Sequence, residues 1–433
     1  MSSFQRLWIL LCFACALTVT AGAAQSRRPA SQPRATTKVI VTLRDDSDAG
    51  AVLRFANITR TGRRFTEAIN GFAADVDEAQ LAALDADPRV ISINPNATFT
   101  LSKIEWVGPQ PLPKQIVTNP LKRIGIMDSL TAHVDGRDDG GLDVDIAVVD
   151  SGVDAAHPDL RVVGGVSCVD NTSAFYDGTG HGTIVAGLAA AKDNGIGIVG
   201  VAPGARIWSV KMLDDSNSGS LEAFMCSLEW LQQNAPTLEV ANMSFTVPGT
   251  VDGPCGLVPR PGRHPRWQKW ELVDPYNMAI CKIVESGTVI AAAVGNDAVD
   301  AHELLPAAYP QTIAVSALAD HDGRPGGLAK KDSCFPGEID DSLASFSNFG
   351  EVVDFAAPGI CTISTFPGGD YRMGDGTSFA APLVAGAAAL VAVRYPGAEP
   401  WFIRQMLEAN AERWHMPTDP DPYPEAILSV RGF

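Results

Sequence analysis

Basic residues are scarce in this chain. Lys and Arg total 33 against 50 Asp and Glu, a formal net charge of −17 over 433 residues. That balance argues against nucleic acid and anionic membrane surfaces as partners, since both are held through clustered Lys and Arg. No internal repeat is visible. Past residue 23 there is no Cys-x-x-Cys pair and no Cys/His cluster, so the usual zinc sites are missing. The two longest apolar runs, Leu7 to Thr20 and Phe379 to Val393, are both short for a membrane span of roughly 20 residues. The second also carries Pro382 and reads as a buried helix.

What is present describes a globular protein. Hydrophobic residues make up 46% and charged residues 19%, enough for one large core with a small module beside it. Arg6, the apolar run after it and the small residues Ala21-Gly22-Ala23 read as an export signal cleaved near residue 23. Export places the protein in the periplasm or outside the cell. Six cysteines remain beyond that point, an even number that suits an oxidising compartment. The pairing taken as an expectation is Cys168–Cys226, Cys255–Cys281 and Cys334–Cys361.

Along the chain the texture changes twice. Residues 24–37 are polar, basic and proline-containing, and are expected to be a disordered spacer. Residues 38–102 read as a small α+β unit, with strands at Lys38 to Leu43, Ala68 to Val76 and Val90 to Asn94 and a helix at Glu78 to Asp85. Val107 to Pro120 holds four prolines in fourteen residues, so 103–120 is expected to be an exposed linker. From 121 to 433 apolar strands alternate with helices. The strands are Val144 to Val149, Ile207 to Met212, Val240 to Ser244, Val289 to Val294 and Thr312 to Ser316. The helices are His181 to Ala191, Leu221 to Gln233, Pro275 to Ser286, Ser378 to Arg394 and Trp401 to Ala411. Such alternation predicts an α/β fold, a mostly parallel sheet with helices on both faces. Its site should lie at the carboxyl ends of the strands. Thr246 to Glu271 reads as a long insertion.

Three segments carry chemistry. Asp150 closes an apolar strand, where a carboxylate is costly without a partner. His181 sits in Gly180-His181-Gly182-Thr183 at the head of a small-residue helix, with glycines that let another backbone approach. Ser378 sits in Gly376-Thr377-Ser378, where a turn meets a helix start and unpaired N–H groups favour negative charge. Alone, the Asp reads as a turn or cap and the His as structural. Together they give the chain order Asp, His, Ser.

Asp145 through Asp154 with His157-Pro158-Asp159-Leu160, Gly180 through Gly187, and Gly376 through Gly386 resemble the three motif segments of the subtilisin-type serine peptidases, the subtilases. The resemblance covers about Ile124 to Ala411 and implies the subtilisin-like fold preceded by a propeptide over residues 38–102. It implies an exported serine endopeptidase, made as a self-inhibited precursor. Its substrates would be proteins or peptides, and its own propeptide would be an intramolecular inhibitor. No cofactor is needed for catalysis. Ser378 would be the nucleophile, His181 the base and acid, Asp150 its orienting carboxylate, and Asn296 with the Ser378 N–H the oxyanion donors. Substrate is expected between two strand edges, Ser244-Phe245-Thr246 and Ala292 to Gly295, with Ala293 and Gly295 in contact. Many relatives have glycine where Thr246 stands, so with the long insertion after it a narrower side-chain pocket or a reshaped mouth is expected here. Lys192, Asn194, Ile196 and Ile198, with Asp159, resemble the family's calcium loop, although Asn-Gly alone also makes a metal-free turn. The rival expectation is a catalytically silent binding protein on the same fold. The α/β-hydrolase reading fails, because that class needs Gly-x-Ser-x-Gly and the order Ser, Asp, His.

Overall fold

Period-two patterning splits the apolar strand residues between two cores. Ile146, Val148, Val240, Val289, Ala291 and Val315 enter one hydrophobic cluster, while Ala147, Val149, Ala241, Ile290, Ala292 and Ala314 enter another on the opposite face. Both faces are therefore buried, which is why these strands read as continuous apolar runs rather than alternating ones. The strands form a nine-stranded sheet. Its path runs Val162–Ser167, Arg206–Lys211, Asp145–Asp150, Val240–Met243, Val289–Ala293, Ile313–Ala319, Phe355–Pro358 and Ala426–Ile427. All the pairings along that path are parallel. Only Ser342–Leu343, off the path, pairs antiparallel.

The helices His181–Ala190 and Thr377–Arg394 pack into the first core. Leu221–Asn234 and Pro275–Glu285 pack into the second. Thr377–Arg394 is long and apolar enough to cross a membrane by composition, but 89% of that stretch is buried inside protein. It is a core helix.

The computed structural model describes residues 35–101, 106–110, 112, 114–251, 255, 257–260, 269–272, 274–329, 335–413 and 415–433. The expected export signal, most of the spacer, the centre of the Thr246–Glu271 insertion and Cys334 lie outside the described residues. Residues Thr36–Phe433 form one unit. Within it a four-stranded antiparallel sheet orders Arg64–Phe65, Gly71–Val76, Thr37–Leu43 and Val90–Pro95. Two helices pack on it, the expected Glu78–Ala86 and also Ala49–Phe55, capped by the Asp48 carboxylate on the Gly50 N–H.

Two expected disulfides form, Cys168–Cys226 and Cys255–Cys281, and Cys361 is also disulfide-bonded. Of the expected exposed linker at 107–120, Val107 to Pro109 and Lys114 are exposed, but the segment is docked rather than free. Val107 exchanges backbone hydrogen bonds with Met373, Ile116 bridges to Ile198, and Pro120 lies buried in the short helix Asn119–Arg123. The Val107, Gln110, Gln115 and Ile116 N–H groups all donate to carbonyls of the larger domain.

Candidate active site

Asp150 and His181 meet because two tight turns face each other. Gly180 adopts φ 85° just before the helix, and a Cβ on Gly182 would collide with the Gly152 carbonyl. The first turn of the histidine helix therefore lies against the end of the aspartate strand. Asp177, which sequence reasoning did not single out, holds it there. Its carboxylate accepts the Gly180 N–H at 2.8 Å, the Thr183 N–H at 2.9 Å and the Ser151 hydroxyl at 2.8 Å. The signal was present: an acidic residue four positions before a glycine-flanked helix start satisfies its orphan donors.

The Asp150 carboxylate lies 2.7 Å from His181 Nδ1, with both side chains fully buried. The same oxygen accepts the Ser151 N–H at 2.7 Å. A carboxylate on Nδ1 fixes the tautomer that leaves Nε2 as the lone-pair nitrogen. That Nε2 is buried and has no hydrogen-bond partner among the described residues. Burial pulls the His181 pKa down, but the charge and hydrogen bond of Asp150 outweigh it, and the net shift is upward. Lys211 lies beside Asp150 on the neighbouring strand and donates to the Ser151 carbonyl.

Ser378 is the second residue of Thr377–Arg394, whose cap Gly376 sits at φ 150°. Its hydroxyl donates to the Ser244 carbonyl at 3.3 Å, and the Ser244 hydroxyl donates to the Ser378 carbonyl at 3.0 Å. The Ser378 hydroxyl is thus not bonded to His181 Nε2. Asn296 Oδ1 accepts the Thr377 N–H at 2.8 Å and the Thr377 hydroxyl at 3.0 Å. Because an N–H can only donate, this oxygen assignment turns the Asn296 NH₂ the other way, towards Gly376.

His181, Ser244, Phe245, Thr246, Ala293, Gly295, Asn296 and Ser378 all line one cavity of about 390 Å³. The Thr246 methyl faces Gly295 closely, in keeping with a narrowed pocket. Thr98, Phe99, Thr100 and Leu101 line the same cavity. Thr98–Thr100 runs antiparallel to Ser218–Ser220, and the Leu101 N–H donates to the Asn217 carbonyl at 2.9 Å. Phe99 stacks on Phe245 with centroids 6.0 Å apart. Of the other expected edge, Ala292 to Gly295, Ala292 is paired to Met243 and Ala314 on either side, while Ala293 and Gly295 line the cavity. The edge in use is Ser218–Ser220. Its Ser-Gly-Ser sequence just before a helix was the available signal, since glycine allows another chain to approach.

The calcium-like residues also converge. Asp159 is fully buried; it accepts the Asn194 amide at 3.0 Å, the Ile198 N–H at 3.1 Å and the Tyr371 hydroxyl at 3.2 Å. Burial raises its pKa to about 6. Ile196 donates to the Asn194 side-chain oxygen at 3.0 Å, and the Lys192 ammonium turns away to the Pro158 carbonyl at 2.9 Å. Gln115, missed in the sequence, completes the loop by accepting the Asn194 and Gly195 N–H groups at 2.9 and 2.8 Å.

The chain is similar to known proteins in sequence and in fold. A family profile described as the Subtilase family matches residues 141–425, and one described as Peptidase inhibitor I9 matches residues 24–102. Subtilisin NAT from Bacillus subtilis subsp. natto is 32% identical over 416 residues, covering 94% of each chain. Subtilisin from Bacillus pumilus is 38% identical over 275 residues, covering 63% of this chain and 84% of its own. A solved structure described as a cold adapted subtilisin-like serine proteinase overlays with a TM-score of 0.52 at 28% identity. It covers 69% of this chain and 91% of that one.

Proposed function

Because the chain belongs to the subtilase family and is a serine endopeptidase made as a precursor with an inhibitory propeptide, we propose that its hydrolysis runs through Asp150, His181 and Ser378. The observation that carries this is the buried 2.7 Å Asp150–His181 contact, with Nε2 unpartnered at the cavity that Ser378 lines.

Ser378 Oγ exchanges the Ser244 carbonyl for His181 Nε2, passes its proton there and attacks the scissile carbonyl. His181 returns that proton to the leaving amine, and water then clears the acyl-enzyme by the same route. Asp150 stabilises the imidazolium without taking the proton. The Asn296 NH₂ and the Ser378 N–H face the developing oxyanion; removing one such donor typically costs about 10²–10³ in kcat.

The propeptide tail acts as a product-like inhibitor. Its support is the strand Thr98–Thr100 added to Ser218–Ser220, with Leu101 and Ser378 lining one cavity. Thr246 restricts the neighbouring pocket to small side chains. Cleavage falls between Leu101 and Trp106, and export precedes or accompanies it. In this reading the divisions are 1–23 signal, 24–37 spacer, 38–102 propeptide, a processing segment from 103 and the peptidase from 121.

Calcium fits the 192–198 loop as a structural ion. Asp159, Asn194 with its amide turned oxygen-inward, Gln115 and the carbonyls of Lys192, Ile196 and Ile198 offer only hard oxygen donors. An adjacent dication would also offset the burial that raises Asp159.

Labelling with a serine-directed covalent inhibitor tests the proposal. Modification at Ser378 in the processed enzyme supports it; a folded chain that no such reagent labels would instead be a silent binding protein.

A further inference from the structure

Leu101 lines the cavity with Ser378, and five residues later the chain is still beside the catalytic groups. Trp106 packs edge-on against Phe379, the residue that follows Ser378, with centroids 6.2 Å apart. It also meets Phe366 edge-on at 5.7 Å. Phe379 in turn lies 6.3 Å from the His181 ring, and a Cβ on Gly180 would collide with Phe366. The three aromatic rings therefore stand around the start of the histidine helix. None of them lines the cavity that holds Thr98 to Leu101.

Gly374 makes room for this arrangement. A Cβ there would come within 3.1 Å of both the Phe379 and the Trp106 rings. The indole thus fills the space of a side chain that the strand Asp370–Gly374 lacks at its last position. Phe379 is fully buried, whereas Trp106 is only partly buried. Phe366 carries the Arg372 guanidinium 4.3 Å over its ring. The free apolar surface next to Phe379 therefore belongs chiefly to Trp106.

Trp106 is also tied to the peptidase rather than to the propeptide. Val107 and Met373 exchange both backbone hydrogen bonds at 2.9 Å, and the Gln110 N–H donates to the Tyr371 carbonyl at 2.9 Å. The Gln115 and Ile116 N–H groups donate to the Gly195 and Gly197 carbonyls at 3.0 and 2.9 Å. Every one of these bonds lies beyond the proposed cut between Leu101 and Trp106, so cleavage leaves them intact.

We propose that Trp106, kept near the new N-terminus, walls the subsite for the leaving half of the substrate and selects apolar side chains there. The inference rests on the proposed cut and on Ser378 as nucleophile. Chain polarity assigns the two sides. Thr98 to Leu101 precede the cut and lie on the acyl side; Trp106 follows it and lies on the leaving side. Five residues reach at most about 18 Å, so Trp106 is never far from the bond that breaks. Later substrates cross Ser378 in the same direction, and their leaving residues arrive where the indole rests. An indole pairs well with aromatic and aliphatic side chains and gains nothing from glycine.

The test compares the processed wild type, Trp106→Ala and Trp106→Leu on two peptides. Both are identical up to the cut bond and carry either phenylalanine or glycine at the two positions after it. N-terminal sequencing finds Trp106 retained, and the wild-type kcat/KM favours the phenylalanine peptide. Trp106→Ala lowers that preference about tenfold and Trp106→Leu about threefold. The leucine chain keeps an apolar cap on Phe379 and decides the matter if the alanine chain does not fold. A purely structural role lowers both peptides alike and leaves the ratio where it was, which overturns the proposal. So does a mature chain that begins beyond Trp106. Faster cleavage of the phenylalanine peptide by Trp106→Ala overturns it too, since the indole is then an obstruction. If the wild type cleaves neither peptide and Ser378 goes unlabelled, the underlying reading falls and takes this one with it. A labelled, active wild type with an unchanged ratio in the variants overturns this inference alone.

Discussion

Glu229 offers the sharpest quantitative prediction about how the propeptide is held. It lies on Leu221–Asn234 and is 8% exposed, yet its carboxylate faces another part of the chain rather than a cation. One oxygen accepts the Thr66 N–H at 2.7 Å and the Glu67 N–H at 2.9 Å; the other accepts the Ala68 N–H at 2.9 Å. Replacing Glu229 by Gln keeps the shape. It sets an NH₂ against the Ala68 N–H, which is fully buried and loses its acceptor. That orphan costs about 1–3 kcal/mol, and the two surviving bonds lose their charge assistance at roughly 1 kcal/mol each. The sum is about 3 kcal/mol or more, roughly a hundredfold in affinity. The assay is inhibition of the processed enzyme by its own released propeptide. We expect the inhibition constant to rise at least thirtyfold, with kcat on a short peptide unchanged. A change under threefold would refute the reasoning, because it would mean these bonds only replace equivalent bonds to water.

Two further predictions concern charge. Asp150→Asn lowers kcat by about 10⁴ by admitting the wrong imidazole tautomer. In the parent, activity is lost on acidification around a midpoint above the ordinary imidazole value of 6.5, since the net shift on His181 is upward; the variant moves that midpoint down. Asp320 carries a pKa raised to about 7 by burial first and Asp341 second. Its folded value exceeds the unfolded value of 3.8, so the stability it contributes is complete below about pH 3.8 and lost as pH rises through 7. Asp320→Asn therefore raises Tm at pH 8 relative to the parent more than at pH 4; the reverse order in thermal melts contradicts this.

Much of this was legible from local pattern. The central strands and helices showed because continuous apolar runs bounded by glycine specify a sheet buried on both faces. Asp150, His181 and Ser378 showed because each motif carries its own local reason: a strand end, a glycine-flanked helix start and a helix N-terminus. What stayed hidden depends on partners far away in sequence. Ser218–Ser220 becomes an edge only when Thr98–Thr100 lies on it, and Glu229 reads as a helix-surface acid until residues 66–68 arrive. That Ala292 is paired on both sides was equally hidden, because a strand's position in the sheet is not written in its own residues. The proline-rich stretch after 106 misled for a related reason: prolines signal missing donors, while docking depends on the surface they meet.

The central claim is that Ser378 cuts its own chain at the cavity where the propeptide tail lies. Intact mass and N-terminal sequencing of the wild-type and Ser378→Ala chains, produced side by side, test it most directly. The account predicts a new N-terminus between Leu101 and Trp106 in the wild type and an uncut variant. Two folded chains that both stay whole, or are cut alike, would contradict it.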